Sequence, residues 1–186
     1  MSPFCPDMSE PAFRPLRFGD LPLVSHWQTR PHVARWWREP ADLASITSRY
    51  SPTIDGPDPT DVFSIEFEGE AIGLIQRYLL RDNPEWAAAI GIPDGAGIDY
   101  FIGEETMLGK GLGARAIGRF AQDTFVRYPA IALVVAVPQQ DNVASWRALE
   151  KAGFQRLAAK RLGSDDPSDA GPAYIYGLRR PAGRQL

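Results

Sequence analysis

Residues 98–125 read IDYFIGEETMLGKGLGARAIGRFAQDTF, and this stretch decides the fold. IDYFIG at 98–103 is rich in β-branched and aromatic residues, which favour a strand. Leu112, Ala116, Phe120 and Thr124, flanked by Ile117, Ala121 and Phe125, recur at helical spacing. Between them lies LGKGLG at 108–113, whose closely spaced glycines let backbone amides converge where a helix begins and adds its positive end. Such a turn suits a phosphate or pyrophosphate; tight packing at a helix start explains it equally well. It is not a P-loop, because Gly111 follows Lys110 where Ser or Thr is required, and it lacks the G-x-G-x-x-G pattern with a later acid.

Downstream, Pro129 stops the helix and IALVVAV at 131–137 is continuously apolar, as in a strand covered on both faces. Asn142 is placed to cap a helix that buries Val143, Trp146 and Leu149 and ends at Gly153. Strands at 154–162 and 172–180 then flank the loop 163–171. Upstream, 61–68 and 71–80 form an antiparallel hairpin across Gly69-Glu70. The segments 51–60 and 81–97 read as loops, the second long enough to carry function. FRPLRF at 13–18 is an edge strand on account of Pro15, and Asp20 opens a helix carrying Leu21, Val24 and Trp27. Pro31 interrupts that helix, VARWW occupies 33–37, and Pro40 starts a helix with Leu43, Ile46 and Tyr50 on one side. The order is β-α-α-β-β-β-α-β-α-β-β. It describes one mixed α/β domain over 13–180, with an arm over 1–12 and a tail over 181–186.

Composition excludes several functions. Twenty Lys plus Arg against twenty-three Asp plus Glu give a net charge of −3, which is no footprint for nucleic acid. One cysteine, Cys5, and two histidines, His26 and His32, cannot build a disulfide framework or a multi-histidine metal centre. No apolar run is long enough to span a bilayer, and MSPFCPDMSE does not read as a signal peptide, so the expected location is cytoplasmic.

IDYFIG, then LGKGLGARAIGRF, then IALVVAVPQQDNVASWRALEKAGF resembles the acetyl-CoA-binding core of the GNAT superfamily of N-acetyltransferases. FRPLRFGDLPLVSHW, VARWW, GEAIGLIQRY and GIDYFIG resemble its aminoglycoside 6'-N-acetyltransferase group and the related acyltransferases of siderophore synthesis. The resemblance covers nearly all of 13–180. It implies a GNAT fold, a mixed central sheet whose splayed strands admit the pantetheine arm of acetyl-CoA. Phe101, Ile102 and Gly103 would line that arm, and the amides of Gly109, Lys110, Gly111, Leu112 and Gly113 would hold the pyrophosphate. Leu108 stands first in the family's Arg/Gln-x-x-Gly-x-Gly/Ala signature, where the usual side chain is missing. Asn142 matches the asparagine near the cofactor arm, a role compatible with capping a helix.

Acetyl transfer to an amine needs a neutral amine, an approach to the thioester and a donor for the oxygen that becomes negative. A backbone N–H on the splayed strand can be that donor. Asp99, inside an otherwise apolar strand and on the face of Phe101, is the candidate base. The resemblance gives the matching aspartate this role; a strand-start aspartate satisfying a loop amide is the alternative. The tyrosine that many family members place before Glu-Lys-x-Gly-Phe is Leu149 here. The proton for the thiolate would then come from Tyr78, solvent or the substrate, or is not needed.

The acceptor is expected to be a small-molecule amine, with no nucleic acid or membrane partner and a monomer or weak homodimer. Acidic and aromatic candidates to hold it are Gln76, Tyr78, Glu85, Trp86 and Asp99, with Asp165, Asp166 and Asp169 in the last loop. Of Trp36 and Trp37, one is expected in the core and one in the cleft, Trp37 being placed at the substrate by resemblance. Val137 stands where the 6'-acetyltransferases carry an aspartate. The alternatives are a siderophore-type acyltransferase with an apolar tunnel and a non-catalytic acyl-CoA-binding domain.

Overall fold

The computed structural model describes residues 10–163 and 167–181. Cys5, most of the expected arm, Asp165, Asp166 and the tail beyond Pro181 lie outside them. Seven strands form one sheet: β1 (Ala12–Pro15), β2 (Asp61–Phe67), β3 (Glu70–Leu79), β4 (Ala96–Ile102), β5 (Leu133–Ala136), β6 (Gln155–Leu162) and β7 (Gly171–Arg179). Their order is β1-β2-β3-β4-β5-β7-β6. Every neighbouring pair is antiparallel except β4 with β5.

Six helices cover it: α1 (Leu21–Thr29), α2 (Pro31–Trp37), α3 (Leu43–Ile54), α4 (Pro84–Ile90), α5 (Leu112–Arg127) and α6 (Val143–Lys151). The apolar periodicity of α5 is realised in full. Leu112, Ala116, Ile117, Phe120, Ala121, Thr124 and Phe125 are all buried, against β3, β4 and β5. The Asn142 carboxamide caps α6 by accepting the Ser145 N–H at 3.2 Å, and Gly153 follows it in the left-handed region at φ 91°.

Several expected boundaries shift. β1 ends at Pro15, because residues 18–20 form a single tight turn that leads into α1. The β2–β3 hairpin turns on Glu68 and Gly69, both at positive φ, as a two-residue turn compatible with strand twist demands. Helix α3 starts at Leu43 under an Asp42 cap and runs four residues past Tyr50, with Pro52 tolerated in its last turn. The expected loop 81–97 contains α4, which starts with Pro84 in its first turn and ends at Gly91 with φ 77°. β4 therefore begins at Ala96, two residues earlier than Ile98. In α6 only Leu149 is fully buried; Val143 is exposed.

One face of the sheet packs on α5 and α6. The other carries two separate clusters, one under α1, α2 and α3 and one joining α4 to β5, β6 and β7. Between those clusters Gln76, Tyr78 and Asp99 look into an open cleft. No helix among the described residues is long and apolar enough to cross a membrane.

Candidate active site

The cleft forms because two strands follow different partners. β4 stays paired with β3 throughout, up to the Gly103 N–H donating to the Ile72 carbonyl at 2.8 Å. β5 stays with β7, past its own end, through the Tyr174 N–H donating to the Pro138 carbonyl and a bridge between Gln139 and Ala173. The two strands meet only at Ala96 with Val134 and Gly97 with Val135. Beyond Gly97 a gap opens.

Register decides which groups of β4 face that gap. Leu80 N–H to Gly95 O and Gly103 N–H to Ile72 O fix the odd-numbered residues as those that exchange hydrogen bonds with β3. The main-chain groups of Tyr100 and Ile102 therefore point away from β3, and the Ile102 carbonyl is already met by His32 Nε2 at 3.1 Å. This corrects the expected lining. Phe101 turns its ring under Trp27 and Trp37, and a side chain at Gly103 would collide with Trp27. Of Phe101, Ile102 and Gly103, Ile102 alone presents its main chain to the gap, and Tyr100 joins it.

The glycine turn keeps its amides open. Gly109 and Gly111 have φ of 73° and 77°, which a side chain would strain, and nothing lies within 4 Å of where a Cβ would stand. Gly111 is the residue from which α5 starts, and the first N–H to find a carbonyl there is that of Arg115, to Gly111. The amides of Gly109, Lys110, Gly111, Leu112 and Gly113 have no acceptor among the described residues. Leu108 is exposed beside them. A groove of about 480 Å³ adjoins the turn, lined by Lys110, Arg115 and Lys151 with Gly118 and Ala152. Orphan donors, a helix N-terminus and three cations fit the pyrophosphate and phosphate of acetyl-CoA.

The cleft itself has a volume of about 1190 Å³. Asp99 sits in the middle of β4 rather than at its start, and its Oδ2 accepts the Gln76 amide at 2.9 Å from the directly opposite residue of β3. Tyr78 pairs across from Gly97, whose missing Cβ leaves room for the phenol ring. The Tyr78 hydroxyl accepts the Trp86 indole N–H at 3.0 Å, so α4 is tied to the cleft floor. Burial, with the nearby charges of Asp99 and Asp169, pushes the Tyr78 phenol well above its ordinary value. Asn142 lines the cleft as well as capping α6.

Trp36 and Trp37 both line the cleft, which corrects the expected split between core and cleft; the core tryptophan is Trp27. Gln139 draws two walls together, its amide donating to the carbonyls of Trp36 (3.2 Å) and Ser168. Among the described residues, Glu39, Asp58, Asp82, Glu85, Asp99 and Asp169 face the same space with a single guanidinium, Arg49, and that one is paired with Glu39 at 3.2 Å. Glu39, Asp58 and Asp82 carry no motif. Only the placement of α3 and α4 brings them together, and for Asp82 the signal was Asn83-Pro84 followed by an alanine run. Leu149, in the place of the family's tyrosine, is wholly buried. Among the described residues no group of His, Cys, Asp and Glu could hold a metal.

This combination of a split sheet, an amide-lined turn and a carboxylate on the splayed strand defines a GNAT-type acyltransferase. The chain belongs to the acetyltransferase (GNAT) domain family, whose model matches residues 18–162. It is similar to the aminoglycoside N(6')-acetyltransferase type 1 of Klebsiella pneumoniae, 28% identical over 141 residues that cover 74% of this chain and 70% of the relative. It is also similar to the lysine N-acyltransferase MbtK of Mycolicibacterium paratuberculosis, 27% identical over 96% of this chain and 78% of that protein. Among solved structures it resembles the aminoglycoside acetyltransferase AAC(6')-Ib in complex with coenzyme A and kanamycin, with a TM-score of 0.74, 26% identity and coverage of 92% and 95%. The protein is accordingly a coenzyme A-dependent acyltransferase of this family.

Proposed function

We propose that the protein acetylates a primary amine of a polycationic amino sugar, the 6'-amine of an aminoglycoside. The observation that carries this reading is the charge of the cleft, six carboxylates against one paired guanidinium. Each exposed carboxylate adds about 1 kcal/mol or less to an ammonium, so selectivity comes from their number and spacing. Trp36, Trp37 and Trp86 supply flat apolar faces for sugar rings between those charges.

Acetyl-CoA supplies an acyl group activated as a thioester. Asp99, oriented by Gln76, takes the proton that the amine loses, and the Tyr100 N–H at the free edge of β4 is placed to meet the carbonyl oxygen as it gains charge. Gln139 and the Trp86–Tyr78 bond keep the walls at a fixed spacing. The siderophore-type reading draws on the similarity to a lysine N-acyltransferase and on apolar Val137, but it wants an apolar tunnel, and the cleft lining is acidic.

Thiol release from acetyl-CoA in the presence of kanamycin-like and tobramycin-like amines tests the proposal. The expected product is acetylated at the 6'-amine, with KM for the amine rising steeply between low and physiological salt as screening weakens the scattered carboxylates. Turnover of lysine derivatives with long acyl donors, and none of aminoglycosides, would transfer the assignment to the siderophore-type reaction.

A further inference from the structure

Adjacent residues of an extended strand point to opposite faces. Asp99 looks toward Gln76 and the acidic walls, whereas Tyr100 looks toward α6, where its Oη lies 2.8 Å from Ser145 Oγ. Both nevertheless line one cleft, because the sheet is open between β4 and β5 at this level. Tyr100 is the only hydroxyl-bearing residue of β4.

This arrangement has a stereochemical consequence that rests on the acetyl-transfer reading. A thioester carbonyl meeting the Tyr100 N–H lies close to the plane of the sheet. An amine held by the acidic walls attacks from the Asp99 face, and the remaining substituents of the carbon then bend toward the other face. The sulfur departs toward the phenol of Tyr100. Tyr78 lies on the face of Asp99, which the sulfur leaves. Leu149 offers nothing, being apolar and buried among the core residues.

We propose that the Tyr100 hydroxyl is a hydrogen-bond donor to the departing sulfur, stabilising it as a thiolate, with Ser145 holding the phenol in position. The N–C bond forms as the C–S bond breaks, and the bonding electron pair stays on sulfur. The amine's proton passes to Asp99 and on to solvent, and the thiolate takes its proton from solvent after departure. Tyr100 keeps its own proton throughout. Burial pushes the Tyr100 phenol above its ordinary range, so its conjugate base is much stronger than a thiolate and proton transfer to sulfur would run uphill. A hydrogen bond carries no such cost, and one to a charged partner is among the stronger kinds.

The test compares wild type with Tyr100→Phe in two measurements. The first is the titration of the thiol of bound coenzyme A, read from thiolate absorbance with the complex formed at saturating protein. Loss of the donor is expected to raise that titration by about one pH unit while calorimetry shows coenzyme A binding as tightly as before. The second is turnover, where kcat is expected to fall roughly 10–100-fold with KM for the amine little changed, the range for losing one hydrogen bond to a charged group. An unshifted titration in a folded Tyr100→Phe protein would overturn the proposal, as would the same shift produced by Tyr78→Phe in place of Tyr100→Phe. Failure of the wild type to bind coenzyme A would instead remove the acetyl-transfer reading beneath it.

Discussion

Neighbouring polar side chains on β3 have opposite fates. Gln76 and Tyr78 point to the cleft beside Asp99, where six carboxylates face open volume. Arg77, between them, points to the other side and is 4% exposed, bonded to Asp61 at 2.9 Å and Asp123 at 2.6 Å. Its guanidinium also lies over Phe63, Phe120 and Tyr128 at 5.2–5.6 Å. A buried cation paired with two carboxylates and packed against three rings of the same protein belongs to the fold. The cleft carboxylates instead outnumber the cations that face the same space among the described residues, an imbalance that suits a cationic ligand. The alternation of one strand separates the two.

Asp99→Asn is the sharpest way to break this contrast. It keeps size and the contact to Gln76 but removes the basicity, so turnover should fall by roughly 10²–10⁴ while the melting temperature and acetyl-CoA affinity hardly move. Partial recovery as pH rises and free amine accumulates would accompany it in the steady-state profile. A variant that unfolds would instead place Asp99 with Arg77.

Arg77→Met should behave in the reverse manner. Losing two ion pairs and three ring contacts at a buried position is expected to cost about 2–4 kcal/mol in denaturant unfolding, with kcat of the folded protein near wild type. Stability equal to wild type would show that Asp61 and Asp123, which stay partly solvated, need no partner.

The smallest effect belongs to a surface pair. Arg14 bonds Asp20 at 2.8 Å and Glu66 at 2.7 Å, and the Arg14 guanidinium holds the Asp20 carboxyl below the usual carboxylate range. A depressed folded value stabilises the native state above the ordinary pKa and is lost as pH falls through that value toward the depressed one. Asp20→Asn should therefore cost about 1 kcal/mol or less at pH 7 and nothing once the pH lies below the depressed value. Melting curves taken across the acid range would show the two proteins converging.

Residues whose role is set by local chemistry were readable before the fold was known. The glycine turn, the seven buried positions of α5 and the Asn142 cap depend on spacing within one element. What escaped depends on contacts between elements. Helix α4 is hidden in the sequence because Asp, Asn, Pro and Gly at 82–95 outweigh Ala87–Ala89, although Pro at a helix start and Gly after its end are the signals that delimit it. Phe101 was assigned to the gap because strand period alone does not say which main-chain groups are spent on β3. Tyr100 went unremarked because only the parting of β4 from β5 makes a residue on the far face reachable from the cleft.

The sheet's continuity rests on two pairings, Ala96 with Val134 and Gly97 with Val135. Mechanically it is two panels, β1 to β4 and β5 to β7, hinged along a short seam. What joins the panels is the core beneath the sheet, where Ile72 and Ile75 of β3 share one cluster with Val134 of β5 and Tyr176 of β7, so substitutions there should couple across the seam. The acceptor cleft opens beyond that seam and is walled from both sides, by Gln76 and Asp99 on one panel and by Val137 and Gln139 after β5 on the other, so a change of acceptor must be accommodated by both.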